Sequence, residues 1–377
     1  MQDPRSYFPE HNLWNLSTLH EHAEHNCVSI RQSKKHSQFY IAHYKDEAQW
    51  ESKWNMFTEM SRGIIFQWFA GNGKILTWPF KKFHNLGAVP ETSYDYLKTL
   101  GEFEVAEKLD GSMILLYYDE FEKEYRCSTK GSLDSEHGEY ATSILPEHLK
   151  QKKWVEEYTL MFELISKRFR IVVDYTKKDN YPEGLYLIGA RNLRSGKLLS
   201  YKEVQDLAQE LKLPTVKTYK FDSLDQLLAT AKDLPVLEEG FVLRFPGDIL
   251  VKVKGDAYLR AHRFISQSSD KHILEAVAED VADTLVEICP DEFRQEIIDK
   301  VAYFKRQKLN LLNQCYKYFA AAPKDNGRKE FALWVIKNVE PHLKGCLFAL
   351  MDCKPLKDKD LYKIIGEIEK PSVETRI

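Results

Sequence analysis

Near residue 262 the chain changes periodicity, and that change limits the folds open to it. Between about residues 100 and 260, short apolar runs alternate with turn signals, the pattern of strands. Downstream, apolar residues recur at helical spacing. Ser269-Asp270 caps a helix carrying Ile273, Leu274, Val277, Val281, Leu285 and Ile288. Pro290-Asp291 stops it and starts another with Phe293, Ile297, Val301 and Phe304; residues 329–339 and 358–368 read as helices too. No strand pattern is visible there, so the chain is of the α+β class with an all-α C-terminal domain. The expected domains are residues 1–265 and 266–377, in keeping with a length of 377 residues.

Several classes are set aside by composition. There is no run of 18 apolar residues for a membrane span, and Met1-Gln2-Asp3-Pro4-Arg5 lacks a secretory apolar stretch. Six cysteines, at 27, 127, 289, 315, 346 and 353, form no CxxC pair, which points to reduced thiols and a cytoplasmic location. His11, His20, His22, His25, His36 and His43 crowd the N-terminal region without a Cys-His pattern, so solvated helix histidines are expected over a metal site. The formal net charge of −3 excludes a global basic field. Any nucleic-acid partner must meet local cations, and these cluster at Lys81-Lys82, at Lys167-Arg168 with Arg170, and at Lys252 with Lys254.

The central motif is Glu107-Lys108-Leu109-Asp110-Gly111-Ser112-Met113, with strand-like runs on both sides. Lys108 reads as a nucleophile that takes a nucleotide covalently. Gly111 admits backbone close to a phosphate or base, and Asp110 is placed to orient the ammonium or an attacking hydroxyl. The plainer alternative is a hairpin turn, since Asp-Gly favours one and Lys-x-Asp-Gly occurs by chance in roughly one chain in ten of this length.

Five further stretches add chemistry. Arg62-Gly63 opens an apolar strand, and a hairpin turns at Gly71-Asn72-Gly73. Phe80-Lys81-Lys82-Phe83-His84-Asn85 mixes rings and cations, suited to a nucleotide or to an amphipathic loop. Glu163 interrupts the apolar strand 160–165 and needs a partner, either Arg168 or Arg170 or a ribose hydroxyl. Glu238-Glu239-Gly240 stands at the mouth of another apolar strand. Alternation then puts Lys252 and Lys254 on one strand face, where they call for an anion between them, unless they simply guard an exposed edge.

Taken in order, Lys108-x-Asp110-Gly111, Phe162-Glu163, Glu239-Gly240-Phe241 and Lys252-x-Lys254 resemble the covalent nucleotidyltransferases, the ATP-dependent ligases and capping enzymes. The long lead before Lys108, with Arg62-Gly63 and Pro79-Phe80-Lys81-Lys82-Phe83-His84-Asn85, is similar to the bacteriophage RNA ligase 1 family of single-strand, tRNA-repair enzymes. A helical tail agrees with that family, where DNA ligases and capping enzymes carry a β-barrel. The resemblance implies an N-terminal nucleotidyltransferase domain with antiparallel sheets around the nucleotide site.

It also implies a three-step reaction. Lys108 attacks the α-phosphate of ATP, AMP passes to an RNA 5′-phosphate, and a 3′-hydroxyl displaces AMP. Lys252 and Lys254 would meet the α-phosphate, Lys82 and Arg62 the β- and γ-phosphates, Glu163 the ribose, and Glu239 a hydrated Mg²⁺ or Mn²⁺. Lys82 is favoured over Lys81, and Glu239 over Glu238, by their neighbours in the motifs. Lys130 would touch ribose or RNA phosphate, Phe80 and Phe83 pack the site, and Tyr40 or Tyr44 border the adenine. Asp280 and Asp283 are candidates for the outer sphere of the metal. A free lysine titrates near 10.4, so lowering Lys108 by about three pH units takes about 4 kcal/mol, expected from Lys252, Lys254 or the metal. The expected partner is single-stranded RNA, such as a cleaved tRNA anticodon loop, and the expected state a monomer in the cytoplasm, that of the host if the source is viral. A nick-sealing ligase and a non-catalytic RNA-binding protein on the same scaffold are the alternatives.

Overall fold

The strand patterning of the first two-thirds is realised as thirteen strands among the described residues, which in this computed structural model are 16–267, 270–287 and 291–368. In chain order they are β1 (Val28–Gln32), β2 (Phe39–Tyr44), β3 (Arg62–Phe69), β4 (Asn72–Ile75), β5 (His84–Asn85), β6 (Glu104–Lys108), β7 (Ser112–Asp119), β8 (Glu124–Thr129), β9 (Tyr158–Ile165), β10 (Gly184–Asn192), β11 (Thr218–Tyr219), β12 (Gly240–Phe245) and β13 (Ile249–Lys254). They form three sheets, ordered β1-β2-β3-β4, β10-β9-β7-β8 and β11-β6-β12-β13-β5. The pairs are antiparallel, as expected, with one exception: β5 lies parallel to β13.

Alternation decides which sheets stack. In β7 and β9, Ile114, Leu116, Leu160, Phe162 and Leu164 join a core with the helix Tyr201–Leu211. Leu115 and Met161 point the other way, against Phe80 and Leu250. The second sheet is therefore covered by helices on one face and by the third sheet on the other. Each such apolar side chain contributes roughly 1.5–3 kcal/mol by leaving water. On the third sheet, Phe241, Leu243, Val251 and Val253 pack outward with Leu224 and Leu227 of the helix Leu224–Lys232, while Val242 and Leu250 face the second sheet. Ser200 and Glu203 form a reciprocal cap on the first of these helices, and Ser223 caps the second.

The hairpin alternative for the central motif does not hold. β6 belongs to the third sheet and β7 to the second, so residues 109–111 step from one layer to the next. A Cβ on Gly111 would stand 2.4 Å from the Leu164 carbonyl oxygen, which leaves room for glycine alone at the crossing.

The described residues to Leu259 form one compact unit and those from Arg260 a second. The helices of the second unit include Asp270–Ala278, Ala282–Glu287, Asp291–Ala321, Arg328–Asn338, Lys344–Met351 and Asp358–Ile368. Ile273, Val277, Val301, Phe304, Phe331, Leu347 and Leu361 are buried there. One expected helix is two. Asp280 adopts a left-handed conformation (φ 59°), the chain bends, and Val281 is left exposed rather than continuing the apolar stripe. Aspartate tolerates that conformation better than most residues, so the break falls where it is least strained. His11, Ser269, Ile288, Cys289 and Pro290 lie outside the described residues, as do the side chains of Leu285 and Phe293.

Candidate functional site

Register places the central lysine. Gly240 of β12 pairs with Lys108 on one side and Lys254 on the other, so both lysines lie on the same sheet face with no side chain between them. Gly240 cannot carry one: its φ is +144° and a Cβ would come within 2.1 Å of the Val253 carbonyl oxygen. The buried carboxylate of Glu239 fills the gap. Lys108 Nζ donates to its Oε2 at 2.7 Å, and Lys254 Nζ lies 2.9 Å from its Oε1. Two residues along β13, Lys252 shares that face and lies 5.0 Å from the centre of the Phe83 ring.

Lys254 pairs with Glu239, whereas Lys252 sits over an aromatic ring. This geometry corrects one expectation: Lys108 is not lowered. Burial pushes its pKa down, but Glu239, Glu163 and Asp110 outweigh burial and hold it above the ordinary lysine value. The group driven down is Lys252, to about 7, by burial and by Lys108, Arg62, Lys82 and Lys254.

Asp110 has a different role from the one expected. Its Oδ2 accepts from the Val172 and Val173 amides at 2.8 and 2.7 Å, and its Oδ1 accepts from Tyr258 Oη at 2.8 Å. Its own N–H donates to Tyr175 Oη at 2.7 Å. The carboxylate is thus spent on fixing the loop and is not free to orient an incoming hydroxyl. Glu163 takes neither proposed arginine as partner: Arg168 pairs with Glu136 and Arg170 lies near Asp174. Instead Glu163 Oε1 accepts the Gly111 N–H at 3.1 Å. Burial raises Glu163 to about 7, against the pull of Lys108 and with Glu239 and Asp110 adding to the rise.

Cations converge from the first two sheets. Arg62 stands opposite His43 in register, contacts Met113 Sδ at 3.2 Å, and its guanidinium lies 5.1 Å from the centre of the Phe83 ring. Gly63 packs on the backbone of Lys130, where a Cβ would lie 3.1 Å from Lys130 Cα. Burial, Arg62 and Lys82 lower Lys130 to about 8. Lys82 is lowered by burial and Arg62, whereas Lys81 pairs with Glu59 at 3.3 Å; of the two, Lys82 belongs with the cations of the site. Glu239 is buried between two lysines, and Glu238 lies outside that pair.

Some expected residues fall elsewhere. Tyr40 stacks on Phe66 (5.4 Å, 11°) in the core of the first sheet, so Tyr44 alone of that pair meets the cations. Phe80 is core, while Phe83 lies between Arg62 and Lys252. Asp280 and Asp283 belong to the second unit, and no group of three potential metal ligands occurs among the described residues. Sequence reasoning missed Tyr175, Tyr258 and Trp54, and it expected His43 as a solvated helix histidine, whereas His43 lies in β2, where burial and the cations Lys130, Arg31, Arg62 and Lys82 push it down to about 3. It also missed Glu107, which accepts from Tyr181 Oη and from the Lys217 N–H. His43 was the one visible signal, a polar residue in the otherwise aromatic and aliphatic run Phe39–Tyr44.

The sequence profile of the RNA ligase family matches residues 60–264. The RNA ligase of Rhodothermus phage RM378 is 25% identical over 368 residues, which cover 77% of this chain and 80% of that protein. An RNA-ligase-like protein of Thermovibrio ammonificans is 32% identical over 213 residues, 53% of this chain; the chain spans about half of that relative's length (52%). A solved archaeal ATP-dependent RNA ligase overlays with a TM-score of 0.46 at 12% identity, covering 75% of this chain and 74% of its own. Because the profile spans more than half of the 377 residues, this chain belongs to the RNA ligase family.

Proposed function

We propose that the chain is an ATP-dependent RNA ligase that joins 3′-hydroxyl and 5′-phosphate RNA ends through a lysyl-AMP and an RNA-adenylate. The observation that carries this reading is one nucleophile set among buried cations: Lys252, Lys130 and Lys82 are held low by burial and by neighbouring cations, and Arg62 by burial. A polyphosphate relieves that stress.

Lys108 Nζ attacks the α-phosphorus of ATP, the bond to the bridging oxygen breaks, and pyrophosphate leaves. Lys252 and Lys254 meet the α-phosphate, Arg62 and Lys82 orient the leaving pyrophosphate, Glu163 binds the ribose, and Lys130 contacts ribose or RNA phosphate. Glu239 is the carboxylate to hold a hydrated Mg²⁺, or Mn²⁺, whose chemistry is neutralisation of phosphate charge. The donor chemistry fits such an ion: Glu239 is a buried carboxylate whose charge raises the neighbouring Glu163, and a cation beside Glu239 would offset that repulsion. With Glu239 turned to the ion, Lys108 would lose the strongest of the carboxylates that hold its ammonium, and burial would then favour the free amine, its proton passing to solvent.

The helical second unit selects the RNA, with a cleaved tRNA anticodon loop the expected substrate, and the protein works as a cytoplasmic monomer. No helix among the described residues is long and apolar enough to cross a membrane. The direct test is incubation with α-labelled ATP or GTP and Mg²⁺. Label on Lys108 from ATP, lost in Lys108→Ala, supports the reading. Label from GTP indicates a capping enzyme, and RNA binding without label a non-catalytic scaffold. Joining of single-stranded against nicked ends separates the RNA-repair reading from nick sealing, and deletion after about residue 270 should leave lysine adenylation intact but reduce the preference for tRNA.

A further inference from the structure

Lys82 is held in an aromatic corner. Its ammonium lies 5.1 Å from the centre of the Tyr44 ring and 5.0 Å from that of Trp54. The two rings meet nearly at right angles, 5.2 Å apart with an interplanar angle of 76°. The far side of the corner is closed by His84, whose ring is edge-on to Trp54 at 5.5 Å. Burial and the lysines around it hold His84 low, at about 4, so the indole abuts a neutral imidazole at pH 7.

The backbone around this corner is also fixed. The Lys82 N–H donates to the Glu59 carbonyl oxygen at 2.6 Å, and Lys81 is tied to the side chain of the same Glu59. Trp54 precedes Asn55, which caps the helix Met56–Met60 by accepting the Thr58 N–H at 2.9 Å. Tyr44 additionally engages Arg62. One ring thus touches both cations assigned to the leaving pyrophosphate, and Trp54 braces that ring.

We infer that Trp54 is a positioning residue for ATP: with Tyr44 it sets the direction and the charge of Lys82, so that the ammonium is aimed before the β- and γ-phosphates arrive. An aromatic face compensates a positive charge without the desolvation of a carboxylate. Indole does this better than phenyl. The inference rests on the proposal that ATP adenylates Lys108. It adds that only the ATP-consuming step depends on Trp54, because a pre-adenylated RNA end has no γ-phosphate, its second phosphate is the RNA's own 5′-phosphate, and sealing expels AMP rather than pyrophosphate.

The experiment compares the full chain with Trp54→Leu and Trp54→Phe in two assays, labelling of the protein by α-labelled ATP and sealing of chemically pre-adenylated RNA. Trp54→Leu should raise KM for ATP in labelling about tenfold, Trp54→Phe should bring it back to within about threefold of the unaltered protein, and sealing of the pre-adenylated end should change less than about twofold. An unchanged KM in Trp54→Leu overturns the inference. Equal loss in both assays also overturns it, since that is the mark of a merely structural ring. If Trp54→Leu fails to fold, Trp54→Phe decides: a wild-type KM together with slower sealing counts against the inference, and a raised KM with normal sealing for it. Absence of label on the unaltered chain would instead remove the ligase reading itself.

Discussion

Replacing Glu239 by Gln keeps the shape of the side chain and removes the one charge shared by Lys108 and Lys254. Their contacts with it are 2.7 and 2.9 Å. At an effective dielectric near 20, each is worth about 6 kcal/mol of Coulomb attraction, and burying the carboxylate takes back several kcal/mol. Breaking a fully buried pair costs about 3–5 kcal/mol. Here the lysine side chains are 20% and 21% exposed, so water recovers part of that. The expected loss is about 2 kcal/mol, or a fall of about 4–8 °C in the melting midpoint of a unit this size. Near-ultraviolet circular dichroism on the full chain reads it. Lys108→Met should also destabilise, and the double variant should lose at least about 1 kcal/mol less than the two single losses together. A second readout is the rate at which a lysine-directed acylating reagent modifies Lys108. It should rise in Glu239→Gln, because the ammonium loses the carboxylate that holds its pKa up. An unshifted midpoint, with strictly additive effects and an unchanged acylation rate, would refute the reasoning that Glu239 keeps the resting nucleophile charged.

Lys252, depressed to about 7, must take up a proton to meet phosphate. ATP binding should therefore consume up to about one proton per site as pH rises from 7 to 9, with affinity falling over the same range and little uptake below pH 6; calorimetry in buffers of different ionisation enthalpy measures it, and Lys252→Arg should abolish that share. Asp110→Ala removes the single oxygen that accepts both backbone N–H groups, so a loss of about 2–3 kcal/mol and faster hydrogen exchange at Val172 and Val173 are expected. Gly240→Ala and Gly111→Ala each drive a methyl into a backbone carbonyl, at 2.1 and 2.4 Å, and should cost about 3 kcal/mol or more, seen as loss of soluble protein or of the cooperative unfolding transition.

What the sequence revealed follows from the range of the interactions involved. Strands such as Tyr158–Ile165 and Ile249–Lys254 announce themselves by alternation and turn signals, which are local. The same alternation put Lys252 and Lys254 on one face. It could not say that Glu239, the residue just before the neighbouring strand, would reach Lys254, because that depends on a register set across three strands. Asp110 misled for a related reason. A carboxylate beside a nucleophile invites a chemical role, and only the fold shows that amides 62 and 63 residues away claim it. The helix Lys344–Met351 escaped notice because its apolar residues run nearly all round and give no helical stripe.

The fastening of Asp110 also bears on the order in which the protein is made. Its hydroxyl donor, Tyr258, lies 148 residues further along the chain. A ribosome that has released everything as far as β12 has therefore delivered the nucleophile but not the group that completes its loop. The β13 strand, with Lys252 and Lys254, is still missing at that stage as well. A growing chain of that length holds Lys108 without its finished surroundings, which are complete only once residues near 260 have cleared the exit tunnel.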